Sequence, residues 1–166
     1  MKSKGRRTTK KLSLVVELPP EQRLFIEDIE EQNKECFEEP DGWGEAHRML
    51  HDKLLSLGGS AALMKFDEDV GKILKRGVIQ HGRVVRFMLG DPSQCHANSA
   101  SVWSRDRERF SIVTGWALSN DGIWRQHTWV YDSRDKKIVE TTEKHALYFG
   151  VQLTDAESEA FADNNG

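Results

Sequence analysis

Hydrophobic and polar residues follow two different spacings along the chain, and the change from one to the other divides its 166 residues into two parts. In the first part, apolar residues recur every three or four positions, which predicts amphipathic helices over residues 20–33 and 45–57 and a shorter helix over 68–75. The residues expected to face inward are Leu24, Phe25, Ile26 and Ile29 in the first helix, and Ala46, Met49, Leu50, Leu54 and Leu57 in the second.

The second part is rich in β-branched and aromatic residues, with turn-forming residues between the runs. Short turns at 81–83 and 119–122 predict two β-hairpins, one from strands 78–80 and 84–88 and one from strands 110–118 and 123–131. Further strands are predicted over 138–142 and 147–149. Helices followed by antiparallel strands indicate an α+β domain.

A further helix is predicted between the two hairpins, and it begins beside a cysteine. Residues 90–93 form a turn cluster, and Ser93 is the expected N-cap. Cys95 would then be the second helical residue, close to backbone N–H groups that have no partner in the helix. A helix N-terminus and a nearby imidazolium both favour the thiolate form of cysteine. The alternative is that Cys95 is a small buried hydrophobic residue.

Two residues downstream favour an activated thiol. His127 lies in the strand over 123–131, and Glu140 lies in the next strand, so that a thiol, an imidazole and a carboxylate follow in order. Asp132 is the rival acid. Side chains alternate along a strand, and pairing of Tyr131 with Ile138 would place Glu140 on the face of His127 and Asp132 on the other face. A register shift of one residue would reverse this assignment.

These residues resemble a known family. A helix with Cys95 at its start, the strand 112–116, the sequence His127-Thr128-Trp129-Val130 and the sequence Glu140-Thr141-Thr142 are similar to the transglutaminase-like branch of the papain-like thiol fold. The resemblance covers residues 94–142. In one departure, Glu140 stands where the family usually has Asp or Asn. The resemblance implies N-terminal helices and a nucleophile helix packed on an antiparallel sheet.

The resemblance also implies a function. Cys95 would be the nucleophile, His127 the base and Glu140 the orienting acid of a hydrolase or acyl transferase that acts on amide bonds of peptides or proteins. Gln94 and Trp129 are candidates for the oxyanion or substrate site. Trp116, Trp124 and Trp129 are candidates for the cleft wall, with the alternative that at least two of them are buried in the core. His96 adjoins the thiol, but helix geometry predicts that its ring turns away from the sulfur. The alternative is a fold of this kind that binds a partner without turnover.

The composition indicates the domain organisation and the kinds of partner to expect. A chain with 37% hydrophobic and 31% charged residues and a net charge of −3 is expected to be one globular domain over 12–153, with a disordered basic tail over 1–11 and an acidic, frayed tail over 154–166. Nucleic-acid binding through the basic tail is the less favoured reading. No apolar run could span a membrane, and the two cysteines, Cys36 and Cys95, are expected to be reduced in a cytoplasmic protein.

No cofactor or metal is expected. His47 and His51 have a spacing of four, which two zinc ligands on a helix can use, but no third ligand accompanies them. We expect an exposed histidine pair on a polar helix face.

Overall fold

The computed structural model describes residues 18–166. The predicted basic tail over 1–11 and most of the segment 12–18, whose sequence favours a strand, therefore lie outside the described residues. The described part is an α+β structure with five helices: α1 (Pro20–Phe37), α2 (Trp43–Leu57), α3 (Val70–Arg76), α4 (Cys95–Arg105) and α5 (Asp155–Asn165). None of these helices is long and apolar enough to cross a membrane.

Within residues 18–166, seven strands form one mixed sheet. They are β1 (Ala61–Ala62), β2 (Val78–His81), β3 (Val85–Phe87), β4 (Phe110–Leu118), β5 (Ile123–Asp132), β6 (Lys137–Glu140) and β7 (Leu147–Gln152). The order is β2-β7-β4-β5-β6-β3, and β1 pairs with the beginning of β5. The sheet was expected to be antiparallel, but β3 runs parallel to β6 and β1 runs parallel to β5.

The predicted hairpin of β2 and β3 is wrong. β2 pairs with β7 and β3 pairs with β6, so the two strands lie at opposite ends of the sheet although only residues 82–84 separate them. Such a connection spans at most about 14 Å. The sheet must therefore curl until its two ends approach each other. The N–H of Gly82 donates to the carbonyl of Ala146 just before β7, which fixes the turn on that side.

The second predicted hairpin and the register after it are confirmed. β4 and β5 pair over their whole length around the turn at 119–122, and Tyr131 lies opposite Ile138 in the β5–β6 pair. The connection is shorter than expected, since Asp132 already pairs with Lys137. In this register Glu140 shares a face with His127.

Alternate residues of the sheet fill two cores. Ile112, Trp116 and Trp124 point to the helices, where they pack against Leu50 and Leu54 of α2 among others. On the opposite, concave face the buried residues include Val113, Ala117, Trp129, Ile138 and Tyr148. The concave face is the one that carries His127 and Glu140.

Some residues that were expected to face inward from α1 and α2 are exposed. In α1, Leu24 and Phe25 are exposed, and the helix extends beyond residue 33 because its inner stripe continues through Asn33 and Cys36. The amide of Asn33 donates to the carbonyl of Ala62 at 2.8 Å and accepts from the N–H of Met64 at 2.8 Å. In α2, Met49 is exposed.

The helix α5 replaces the frayed tail expected over 154–166, where the sequence had allowed only a helical turn or two over 156–162. The hydroxyl of Thr154 accepts from the N–H of Glu157, and the carboxylate of Glu157 accepts from the N–H of Thr154, which makes a complete capping box. The helix packs against α4, with Phe161 edge-on to the ring of His96.

Asp132, the rival acid, is held by a different set of partners. Its buried carboxylate accepts from the guanidinium of Arg109 at 2.6 and 3.0 Å, and from the N–H groups of Arg134 and Asp135 in the turn after β5. The Arg109 guanidinium holds the pKa of Asp132 at about 2, below the ordinary 3.8. Asp132 thus fixes the β5–β6 turn.

We expect Asp132→Asn to lower the melting temperature by several degrees at neutral pH, because the amide loses the charge pair with Arg109. A carboxylate with a lowered pKa stabilises the fold above its unfolded pKa and ceases to do so as the pH falls towards its folded pKa. The difference in melting temperature between wild type and variant should therefore shrink as the pH falls from 4 towards 2, as followed by circular dichroism. A constant difference over this range would contradict the assignment.

Candidate active site

Cys95 is the first residue of α4, and the structure places Gln94 rather than Ser93 at the N-cap. Ser93 has a φ of 60° and therefore belongs to the preceding turn. The first helical hydrogen bond in α4 runs from the N–H of Asn98 to the carbonyl of Gln94, so the N–H groups of Cys95, His96 and Ala97 have no partner within the helix. These groups surround the thiol with positive partial charge.

His127 and Glu140 form a buried pair on the concave face of the sheet. Nε2 of His127 is 2.9 Å from Oε1 of Glu140, and the glutamate side chain is fully buried. The β5–β6 register accounts for the contact, because it places the glutamate diagonally opposite the histidine. Since Nε2 is bound to Glu140, Nδ1 is the ring nitrogen left for another partner.

The thiol and the imidazole shift each other's pKa. Burial alone would raise the pKa of Cys95. Hydrogen bonding to His127 and His96, together with the positive charge of these rings, outweighs burial and lowers the pKa from 9.0 to about 5. Burial lowers the pKa of His127, whereas hydrogen bonding to Cys95 and to Glu140 raises it, to about 9 from 6.5. Between these values the side chains form a thiolate and an imidazolium.

Helix geometry predicted that the ring of His96 turns away from the sulfur, and this prediction is wrong. Its Nδ1 lies 3.7 Å from Sγ of Cys95, and its ring packs edge-on against Phe161 of α5 with centroids 5.5 Å apart. The angle between neighbouring residues on a helix does not determine where a ring points once a second helix packs against it. His96 is therefore a second imidazole beside the thiol.

His145 and Tyr148 complete the surroundings of His127, and sequence reasoning missed both. The ring of His145 is edge-on to that of His127 with centroids 4.6 Å apart, and its backbone N–H donates to the hydroxyl of Tyr148 at 2.9 Å. Burial and the positive charge of His127 lower the pKa of His145. His145 lies in an irregular segment between β6 and β7, where no periodic pattern marks a residue as buried.

One donor atom each from His127, Glu140 and His145 lies within 4.8 Å of the others, a spacing at which one cation could contact all three. Oε2 of Glu140 and Nε2 of His145 have no hydrogen-bond partner among residues 18–166. The 2.9 Å contact between His127 and Glu140 is, however, a direct hydrogen bond. We interpret the cluster as a histidine–carboxylate pair with a second imidazole beside it.

A cleft of about 860 Å³ opens over these residues. Gln94, Cys95, His96, His127 and His145 line it, together with Leu89 and Gly90 on one side. Trp129 does not line the cleft, contrary to the sequence-based hypothesis. It is fully buried, stacks on His127 and donates from Nε1 to Gln80 at 3.0 Å. Trp116 and Trp124 are also fully buried on the helix side.

His47 and His51, the histidine pair on α2, have a structural role. His47 is fully buried, with Nδ1 2.6 Å from the carbonyl of Trp43, and its Nε2 accepts from the N–H of Asp67 at 2.9 Å. His51 is nearly buried and contacts Glu30 and Asp52. The expectation of an exposed pair was wrong, because these rings tie α2 to α1 and to the segment before α3.

We expect iodoacetamide to alkylate Cys95 with a rate that is half-maximal near pH 5 and constant up to about pH 9, because the thiolate is present throughout. Cys36 should react slowly over this range, since burial and the charges of Glu39 and Asp67 raise its pKa. Mass spectrometry of the digested protein separates the two sites.

Alanine variants of His127 and His96 separate the contributions of the two rings to the pKa of Cys95. His127→Ala should shift the half-maximal pH upward towards that of an ordinary thiol, because it removes a hydrogen bond and a positive charge. His96→Ala should shift it upward by a smaller amount. Equal alkylation rates of Cys36 and Cys95 at pH 6, or a larger shift in His96→Ala, would contradict the assignment of His127 as the main partner.

No protein-family model matches this chain, and no curated protein or solved structure matches it significantly. Its function must therefore be argued from the side chains of the cleft.

Proposed function

We propose that the protein is a thiol-dependent hydrolase or acyl transferase that acts on amide bonds of peptide or isopeptide type. Cys95 would be the nucleophile, His127 the base and Glu140 the acid that orients it, in an arrangement of the papain-like kind. The observation that carries the proposal is the buried hydrogen bond between His127 and Glu140 beside a cysteine at a helix start that opens into a cleft. A buried carboxylate paired with a histidine is typical of sites where the imidazole must hold a proton.

The proposed acylation step uses the Cys95 thiolate as nucleophile and the His127 imidazolium as acid. The Cys95 thiolate attacks the carbonyl carbon of the amide, a C–S bond forms, and the carbonyl oxygen becomes an oxyanion. The N–H groups of the first turn of α4 and the side chain of Gln94 would donate to this oxyanion. The imidazolium of His127 then gives its Nδ1 proton to the leaving nitrogen as the C–N bond breaks. This step leaves an acyl thioester on Cys95.

The second half of the reaction regenerates the thiol. Neutral His127 takes a proton from a water molecule or from an amine, which attacks the thioester carbonyl and displaces the Cys95 thiolate. The side chain of Glu140 accepts a hydrogen bond from the His127 ring and would stabilise the imidazolium in both halves. A glutamate suits this position because its longer side chain spans the diagonal distance between β6 and β5.

A second candidate is a fold of the same kind that binds a protein partner without turnover. The replacement of the usual Asp or Asn by Glu140 is the observation that favours it. The two candidates differ in one measurable property, which is whether Cys95 becomes acylated.

We expect p-nitrophenyl acetate to acetylate Cys95 and release p-nitrophenolate in a burst equal to the amount of protein. Glu140→Gln should slow this acylation by about 100-fold or more, because the amide cannot stabilise the imidazolium. Intact-mass spectrometry detects the acetyl group, and absorbance follows the burst. Absence of acetylation in the wild type would favour the binding module.

Asp132→Asn is the matched control, since it makes the same carboxylate-to-amide change away from the cleft. Assayed below its melting temperature, it should keep nearly the full acylation rate. Loss of acylation in Asp132→Asn, with Glu140→Gln unaffected, would exclude Glu140 as the orienting acid. Inhibition by EDTA with recovery on adding zinc would point instead to a metal-dependent reaction at His127, Glu140 and His145.

A further inference from the structure

The free edge of β3 carries unused backbone hydrogen-bonding groups. β3 is the last strand in the sheet order, and among residues 18–166 no strand pairs with its outer side. On the inner side, the N–H groups of Met88 and Gly90 donate to the carbonyls of Glu140 and Thr141, both at 2.9 Å. Backbone groups of successive residues in an extended chain point to opposite sides, so those of Phe87 and Leu89 point away from β6.

The side chains at these positions are apolar and exposed. Phe87 is 51% exposed and Leu89 is 68% exposed. Phe87 lies directly opposite Glu140 in the parallel β3–β6 pair, and residues directly opposite share a face of the sheet. Phe87 therefore lies on the face that carries His127 and Glu140, although it is outside the buried core.

The edge leads directly to the thiol. Leu89 and Gly90 line the same cleft as Cys95 and His127, and α4 begins five residues after Gly90. The short connection to β2 lies at the other end of β3, so within residues 18–166 this connection does not cover the edge at Phe87 and Leu89. A row of free N–H and C=O groups flanked by apolar side chains is the surface that an extended peptide uses when it adds a strand to a sheet.

We propose that the substrate binds as an extended peptide along the outer edge of β3, with apolar side chains against Phe87 and Leu89, and that this docking delivers its amide bond to Cys95. The inference rests on the proposed function, because it assigns the substrate class of that same cleft. Backbone hydrogen bonds to Phe87 and Leu89 would hold the chain in register, and the two side chains would select apolar residues. The favoured substrate is thus a polypeptide segment, not a small amide.

Two peptidyl chloromethyl ketones test the proposal, one with the sequence Leu-Leu-Gly and one with Ser-Ser-Gly. In each, the Cys95 thiolate displaces chloride and a C–S bond forms, so the labelling rate reports how well the peptide places its reactive carbon. We expect the wild type to react with the leucine probe about 10-fold faster than with the serine probe. A double variant, Phe87→Ser with Leu89→Ser, should react with both at similar rates.

Iodoacetamide serves as the reference in every variant, because it needs no docking. Its rate should be unchanged in the double variant, which also shows that the site remains folded. Met49→Ser is the matched control: Met49 is 54% exposed on α2, which packs on the helix side of the sheet, and its loss should leave the preference for leucine intact. Leu89→Glu should lower the rate with the leucine probe and raise it with a Lys-Lys-Gly probe, a gain that unfolding cannot produce.

Three results would overturn the inference. Fast reaction with iodoacetamide but no preference between the leucine and serine probes would leave the proposed function standing and exclude docking at this edge. Faster labelling by the leucine probe in Leu14→Ser would show that the chain's own segment 12–18 covers the edge. A monomer formed only in the double variant, measured by light scattering, would assign the edge to a second copy. Slow reaction of Cys95 with iodoacetamide would instead count against the proposed function.

Discussion

The register between β5 and β6 is the constraint on which the candidate site depends. It places Glu140 on the concave face behind His127, and the buried carboxylate of Asp132 holds the exposed turn that joins the two strands. A shift by one residue would send the glutamate to the helix side and put Val139 in its place. The charge pair of Asp132 with Arg109 lies at the end of β5, away from the cleft, and stabilises the turn between the two strands.

The cleft combines three elements that meet only in the folded chain. α4 contributes Cys95 and His96, β5 contributes His127, and the segment after β6 contributes His145. The rings of His127 and His145 lie edge-on with their centroids 4.6 Å apart, so a positive charge on one ring disfavours a positive charge on the other. Hydrogen bonds to Cys95 and to Glu140 raise the pKa of His127 against the effect of burial, while burial and the positive charge of His127 lower the pKa of His145. The proton is thereby directed to the ring that has a carboxylate partner.

The sequence was sufficient for the parts of this arrangement that depend on local pattern. Alternation and turn residues predicted β4, β5 and the pairing of Tyr131 with Ile138, which places Glu140 beside His127. Features set by distant contacts were not predictable in this way. The ring of His96 is held by Phe161, which is distant in sequence, and β2 and β3 look like a hairpin locally but find partners elsewhere in the sheet.

The separation of β2 and β3 determines when these strands can pair during synthesis of the chain. Val78 pairs with Gly150 and Val85 pairs with Ile138, so neither strand can find its partner until the ribosome has released most of the chain. The β4–β5 hairpin, in contrast, is local and can form as soon as it emerges. Pairings between distant residues close slowly and leave apolar strands exposed in the meantime. The nascent chain is therefore most prone to aggregation between the emergence of β3 and that of β7, and a chaperone that retains it in this interval would improve its yield.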